Sequence, residues 1–173
     1  MEQVILVDEQ DVESGVMEKM EAHEKALLHR AFSVFIFNTK GEMLLQQRAL
    51  TKYHSGGLWT NACCSHPRPN ETTIDAANRR LQEELGFSTA LHKIFDFTYK
   101  ASFDNGLTEH EFDHVFAGKY EGEILFNKAE VKDITYQSLE EISQSLISHP
   151  HKYTAWFHLA FPKVVEWNRL HQS

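Results

Sequence analysis

Two cysteines are all the chain has in 173 residues, and they are neighbours, Cys63 and Cys64. Cα atoms joined by one trans peptide lie about 3.8 Å apart, inside the ~4.4–6.8 Å that an ordinary disulfide spans, so a disulfide scaffold is excluded. A disulfide-free chain suits the reducing cytoplasm, which is the expected compartment. Long hydrophobic runs are missing as well: no window approaches about eighteen uncharged apolar residues, and Met1-Glu2-Gln3-Val4 does not begin a signal segment. No membrane partner is expected. Cations are scarce, 17 Lys and Arg against 25 Asp and Glu for a net charge of −8, which argues against a nucleic-acid or anionic-surface partner. Any anionic small molecule must then be held by a local cationic cluster or a bound metal. Internal repeats, low-complexity tracts and linkers are also absent. With 42% hydrophobic residues, the chain can fill one core, so a single domain over 1–173, acting as a monomer, is expected.

What is present is patterned. Residues 4–7 read as a strand, 8–15 as a turn and 17–23 as a helix. Residues 30–38 and 43–48 predict a central hairpin across the turn at 39–42, and 49–58 is a loop carrying Lys52 and the Gly56-Gly57 pair. Residues 70–73 offer capping side chains for a helix over 74–85, which Gly86 stops and whose buried side is Ala76, Ala77, Leu81 and Leu85. Residues 91–103 and 107–120 alternate and are joined by Asp104-Asn105-Gly106, a strong hairpin signal. Two short strands are expected around 122–126 and 133–137, then helices over 139–147 and 153–170, the second with Pro162 as a point of kinking. Hairpins interrupted by helices predict an α+β fold, a mixed β-sheet core covered by α-helices.

Chemistry concentrates in Trp59-Thr60-Asn61-Ala62-Cys63-Cys64-Ser65-His66-Pro67, which reads as a short strand ended by its proline. Cys64 and His66 face one side of it. A thiol and an imidazole so placed can hold a metal or move protons, or can be a buried small side chain beside a structural histidine. Farther on, Glu109 and Glu111 share a strand face while His110 points away, and two adjacent carboxylates are costly to bury without a cation. Together with His23, His29 and His66 they make a three-imidazole, two-carboxylate shell with a sixth position open, a set suited to Zn2+, Mn2+ or Fe2+. His92, His149, His151 and His171 lie in polar or terminal settings and read as solvated, and Trp167 reads as packing.

The helix Arg79-Arg80-Leu81-Gln82-Glu83-Glu84-Leu85-Gly86-Phe87, with Glu71 before it, resembles the Nudix box, whose acidic residues hold Mg2+ on a diphosphate. It departs from that pattern at Ser65, where the box starts with glycine, and at Arg80, which replaces a glutamate. A guanidinium there favours holding a diphosphate intact over hydrolysing it. Beyond the box, Ala22-His23, the run from Leu28 to Ser33, Gln47-Arg48-Ala49-Leu50, Trp59-Thr60-Asn61, Cys64, His66-Pro67 and Glu109-His110-Glu111 resemble type I isopentenyl diphosphate isomerases. The resemblance covers nearly the whole chain.

That resemblance implies a Nudix-like fold and the interconversion of isopentenyl and dimethylallyl diphosphate. It makes Cys64 and Glu111 the catalytic pair, with Tyr99 near the acid and Trp156 beside the reacting carbons. It assigns His23, His29, His66, Glu109 and Glu111 to one transition-metal ion, Mn2+ or Zn2+, and Glu84 to a Mg2+ that arrives with the substrate. Lys19, Arg48, Lys52 and Arg80 match positions that hold the diphosphate. The residue types suit the chemistry: protonating an unactivated alkene needs an acid, a base on the opposite side and a dry site. The expected donor is the Glu111 and Tyr99 side and the expected base is Cys64. An indole face, from Trp156 or Trp59, would stabilise the cation by roughly 2 kcal/mol. A Nudix-type diphosphate hydrolase is the alternative. A non-catalytic metal-binding domain would have no need of Cys64 opposite Glu111.

Overall fold

The computed structural model describes residues 2–171, so Met1, Gln172 and Ser173, the ends of the expected domain, lie outside it. Its sheet is built on β3 (His29–Phe37), a nine-residue strand of β-branched and aromatic residues that is buried along almost its whole length. Such a strand needs partners on both edges and cover on both faces. On one edge it pairs in parallel with β8 (Thr108–Lys119), which in turn forms the expected hairpin with β7 (Leu91–Ser102). On the other edge its length is shared: β1 (Gln3–Val7) at His29, β6 (Cys63–Ser65) from Phe32 to Val34, and β4 (Met43–Arg48) at Phe37. β4 also carries β5 (Trp59–Thr60) and β9 (Val131–Gln137), and β1 carries β2 (Glu13–Glu18). The mixed α+β architecture is the one the sequence predicts.

The pleat sends the two sides of β3 into different cores. Phe32, Val34 and Ile36 join Leu44, Phe116 and the buried side of α2 (Thr73–Leu85), which is Ala76, Ala77, Leu81 and Leu85 as expected. Burying each of those leucines contributes about 1.5–3 kcal/mol. Phe35 and Phe37 face the other way, toward α3 (Leu139–Ser148) and α4 (Ala155–His171), whose Phe157, Ala160, Phe161 and Val164 complete that core. Trp59 and Trp167 pack against the same cluster. Pro162 lies inside α4 without ending it. Among the described residues no helix is long and apolar enough to cross a membrane.

Three local expectations are corrected. Residues 13–18 form β2, and α1 (Lys19–Glu24) begins two residues later than the expected helix, because Val16 and Met17 pair with Ile5 and Val4 of β1. The strand expected over 59–66 is two strands on different partners. Between them Asn61 donates its side-chain amide to Val34 O at 2.9 Å and Cys63 O at 3.0 Å, which holds the break. Residues 122–126 form no strand; Ile124 and Phe126 pack on the α2 core instead, and Asn127 N donates to Glu84 O at 2.8 Å.

That segment explains Gly86. The residue ends α2 at φ 75°, in the left-handed region, and a Cβ built on it would lie 2.5 Å from Leu125 O. Gly86→Ala is expected to lower stability by about 1–3 kcal/mol, since both the backbone conformation and the close approach oppose a side chain. Urea unfolding measures this, and an unchanged midpoint would show that the helix end relaxes freely.

Candidate active site

Toward its N-terminal end, the face of β3 that carries Phe35 and Phe37 turns polar. The parallel register places His29 beside Glu111, and the β7–β8 hairpin places Tyr99 on the other side of Glu111. The Tyr99 hydroxyl lies 2.6 Å from Glu109 Oε2 and 2.5 Å from Glu111 Oε1. Burial, with Glu109 and Glu111 beside it, pushes the Tyr99 phenol up, so it stays a neutral donor. Burial alone would also raise the Glu111 carboxyl; contacts from His29 Nε2 at 3.2 Å and His66 Nε2 at 2.7 Å reverse that and hold it well below the usual carboxylate range.

Three imidazoles converge here, from the last turn of α1, the start of β3 and the residue after β6. Nδ1 of His23 is 2.7 Å from Lys19 O and Nδ1 of His29 is 2.9 Å from Leu27 O, which turns both Nε2 atoms inward. The donor atoms of His23, His29, His66 and Glu111 lie within 4.8 Å of one another. His23 Nε2 is buried with no hydrogen-bond partner, and burial pushes that imidazole down to about 4, so its nitrogen is neutral at pH 7 and able to bind a metal. A bare buried nitrogen in a ring of imidazoles and carboxylates fits a divalent metal ion. Glu109 closes the other side, and His110 points away toward Ala26 O, as the strand period predicts.

Cys64 faces this group across a narrow space of about 20 Å³, room for little more than a water molecule, whose lining includes Cys64, His66, Tyr99, Glu109, Glu111 and Trp156. Burial, reinforced by Asp113, pushes the Cys64 thiol up, so sulfur is protonated at rest. Its acceptors are Asn61 Oδ1 at 3.1 Å and Ser33 Oγ at 3.6 Å, and Trp156 Nε1 donates to Sγ at 3.0 Å. The sulfur therefore has partners in both protonation states. The sequence places an indole face here; the structure presents the indole N–H to the sulfur. Trp59 does not line the space, so the cation-stabilising alternative for that residue is not supported.

A larger cleft of about 390 Å³ adjoins it and brings together Lys19, Arg48, Lys52 and Arg80, with Cys64 and His66 at the shared wall. The Arg48 guanidinium lies over the Trp156 ring at 5.2 Å. Lys52 and Arg80 both reach Glu130 and Glu84, Lys52 at 3.1 and 3.7 Å, Arg80 at 2.5 and 3.2 Å. Glu84 is buried beneath them, its other oxygen 3.1 Å from Cys63 Sγ. Glu71 holds Arg79 through two hydrogen bonds of 2.8 and 2.9 Å, so that pair braces the box helix.

Residues 27–157 match the NUDIX domain family model. The chain is 52% identical to an isopentenyl-diphosphate Delta-isomerase of Pectobacterium atrosepticum over 95% of this chain and 92% of that one. It is 44% identical to the isopentenyl-diphosphate Delta-isomerase of Serratia proteamaculans over 99% of both. The chain belongs to the isopentenyl-diphosphate Delta-isomerase family. Solved structures of lower identity share the fold: DR0079 of Deinococcus radiodurans at 16% identity, TM-score 0.76, over 99% of this chain and 100% of that one, and a MutT protein of Methanosarcina mazei at 20%, TM-score 0.67, over 84% and 96%.

In this member of the isomerase family, Cys64, His66, Tyr99, Glu109, Glu111 and Trp156 line the smaller space, and Lys19, Arg48, Lys52 and Arg80 line the cleft above Glu84. His23 and His29 line neither cavity and stand beside His66 and Glu111. Sequence reasoning missed His54, Ser33, Asp113 and Glu130. Asp113 is the third carboxylate on the Glu109–Glu111 face and accepts from Ser33 Oγ at 2.7 Å; continuing the strand period by two residues would have found it. His54 and Glu130 sit in irregular segments where no period operates.

His66→Ala and Glu109→Gln are each expected to lower the metal content of the purified protein, read by elemental analysis; full occupancy in both would sink the ligand set. Trp156→Phe keeps the ring and removes the donor to sulfur. It is expected to lower kcat by roughly 10–100-fold, the worth of a hydrogen bond to a charged group, with KM little changed. A wild-type kcat would show that the N–H is idle.

Proposed function

We propose that this chain interconverts isopentenyl and dimethylallyl diphosphate, moving a carbon–carbon double bond by adding a proton at one carbon and removing one from another. The observation that carries this reading is the placement of Cys64 and Glu111 in the lining of one small space that adjoins a cationic cleft. The names of relatives at 44–52% identity support it.

In the isopentenyl direction, the Glu111 side, with Tyr99, gives a proton to the terminal alkene carbon, which leaves a tertiary carbocation. Cys64 Sγ then takes a proton from the carbon nearer the diphosphate before water can intervene. The reverse direction starts from the Cys64 thiol and ends with the proton on Glu111. One proton thus serves the pair. At rest it sits on sulfur, where burial favours the neutral thiol, while the histidines favour an ionised Glu111; that state starts the reverse direction, and the isopentenyl direction starts once the proton has passed from Sγ to the Glu111 side. The Trp156 N–H stabilises the thiolate when that proton leaves.

Lys19, Arg48, Lys52 and Arg80 bind the diphosphate, answering the shortage of cations elsewhere on the chain. A transition-metal ion, Mn2+ or Zn2+, held by His23, His29, His66, Glu109 and Glu111 would supply positive charge that offsets the two buried carboxylates and fixes their positions. Glu84 would hold a Mg2+ that arrives with the substrate, and that ion would offset charge on the diphosphate. Lys52 and Arg80 now cover Glu84, so this requires both to turn outward onto the phosphates. The proposed working unit is a single chain; the lining of both cavities by residues of this chain supports that reading.

Incubating isopentenyl diphosphate with the protein in D2O and following it by proton NMR tests the reaction. Solvent deuterium is expected on the carbon that gains the proton, with the diphosphate still attached. Phosphate release without carbon-bound deuterium would overturn the isomerase and favour hydrolysis.

A further inference from the structure

The geometry points to His54 as a sixth protein donor at the metal centre, one that ties the diphosphate-binding loop to the ion. The inference rests on the metal reading above and extends it to a residue outside the five-ligand pattern. His54 lies in the loop between β4 and β5, yet its side chain is only 2% exposed. Its ring is stacked on Phe103 at 4.4 Å and 9°, and Tyr53 packs edge-on against it at 4.3 Å. Nδ1 is 3.1 Å from Ser55 Oγ, which leaves Nε2 as the inward nitrogen.

That nitrogen lies against Glu109 Oε1 without the alignment of a hydrogen bond, and it has no other partner. His23, His54 and Glu109 form a second convergent group, with donor atoms within 4.8 Å of one another, and His23 belongs to both groups. Two buried imidazole nitrogens, on His23 and His54, are thus bare in one site. Hydrogen bonding within the protein leaves both unsatisfied; one ion shared by the two groups satisfies both. An ion held by His23, His29, His66, Glu109 and Glu111 would have in His54 a further imidazole donor, brought to it through the group that shares His23.

The loop follows from this. Arg48 donates to His54 O at 3.2 Å, and Lys52 stands two residues before His54. An ion that holds the His54 ring also fixes the backbone that presents both cations to the cleft. Metal loading and diphosphate capture are therefore coupled through one short segment.

The test uses the full chain stripped of metal by a chelator and titrated with Co2+ alone. The visible spectrum and a competition-derived Kd are read for wild type, His54→Ala and His54→Gln, with circular dichroism confirming the fold of each. Wild type is expected to take one equivalent and to show the weak bands of a six-coordinate centre. His54→Ala should bind on the order of tenfold more weakly or worse, with stronger bands as a ligand and the near-octahedral symmetry are lost. His54→Gln should behave like His54→Ala, and hydrogen exchange over residues 49–58 should slow on Co2+ binding in wild type only. Unchanged affinity and spectrum in His54→Ala would overturn the proposal. Restoration of both by His54→Gln would overturn it too, because a hydrogen-bond partner for Glu109 would then suffice. Wild type that takes up no Co2+ would sink the metal centre itself, a failure seen before any variant is compared.

Discussion

Glu109 and Glu111 are buried side by side on one strand, and the electrostatic cost of that arrangement shapes what surrounds it. Each carboxylate is about 5% exposed or less, too dry for solvent to screen it. Everything that touches the pair is therefore a donor or a potential cation carrier: the Tyr99 hydroxyl between them, His29 and His66 on Glu111, His54 against Glu109. The parallel β3–β8 register makes this possible, since a one-residue slip would send both carboxylates into the apolar cluster under α2. The extended hairpin with β7 fixes the same register from the other side.

The site is thus a modification of a core rather than an addition to one. A single sheet face is aromatic and aliphatic at Phe35, Phe37, Val115 and Ala117, and becomes imidazole, hydroxyl and carboxylate at His29, Ser33, Glu109, Glu111 and Asp113. Charge of the opposite sign is kept on the flank, where α1, the end of β4, the β4–β5 loop and α2 each bring one cation, Lys19, Arg48, Lys52 and Arg80, to one cleft. The proposed reaction would place the anionic end of its substrate among these guanidinium and ammonium groups and its hydrocarbon end toward Cys64 and Glu111.

Most of this was legible in the sequence where a period or a stop signal operates. The α2 face, its Gly86 stop and the Asp104-Asn105-Gly106 hairpin depend on neighbours in the chain, and they stand where the pattern places them. The alternation at Glu109 and Glu111 was legible too, but their partners come from distant segments, and only the resemblance to a family joined them beforehand. Irregular backbone was illegible. Residues 122–126 alternate like a strand because Ile124 and Phe126 pack inward, while their backbone serves the end of α2. β2 was hidden for the opposite reason: its residues read as turn and helix, and only pairing with β1 extends them. His54 gave no signal, since its role depends on a loop path that folding alone decides.

Trp156 opens the helix that closes the far core. Its neighbour Phe157 stacks on Phe35 at 6.3 Å and Tyr153 at 5.5 Å, and Phe161 continues that contact at 5.3 Å. The indole that touches the Cys64 sulfur is thereby seated on a column of rings running away from the candidate site. Any change that lets the column settle differently tilts the indole with it. Sequence drift deep inside α4, in residues that never meet a ligand, would be felt as a change in how readily one sulfur atom gives up its proton.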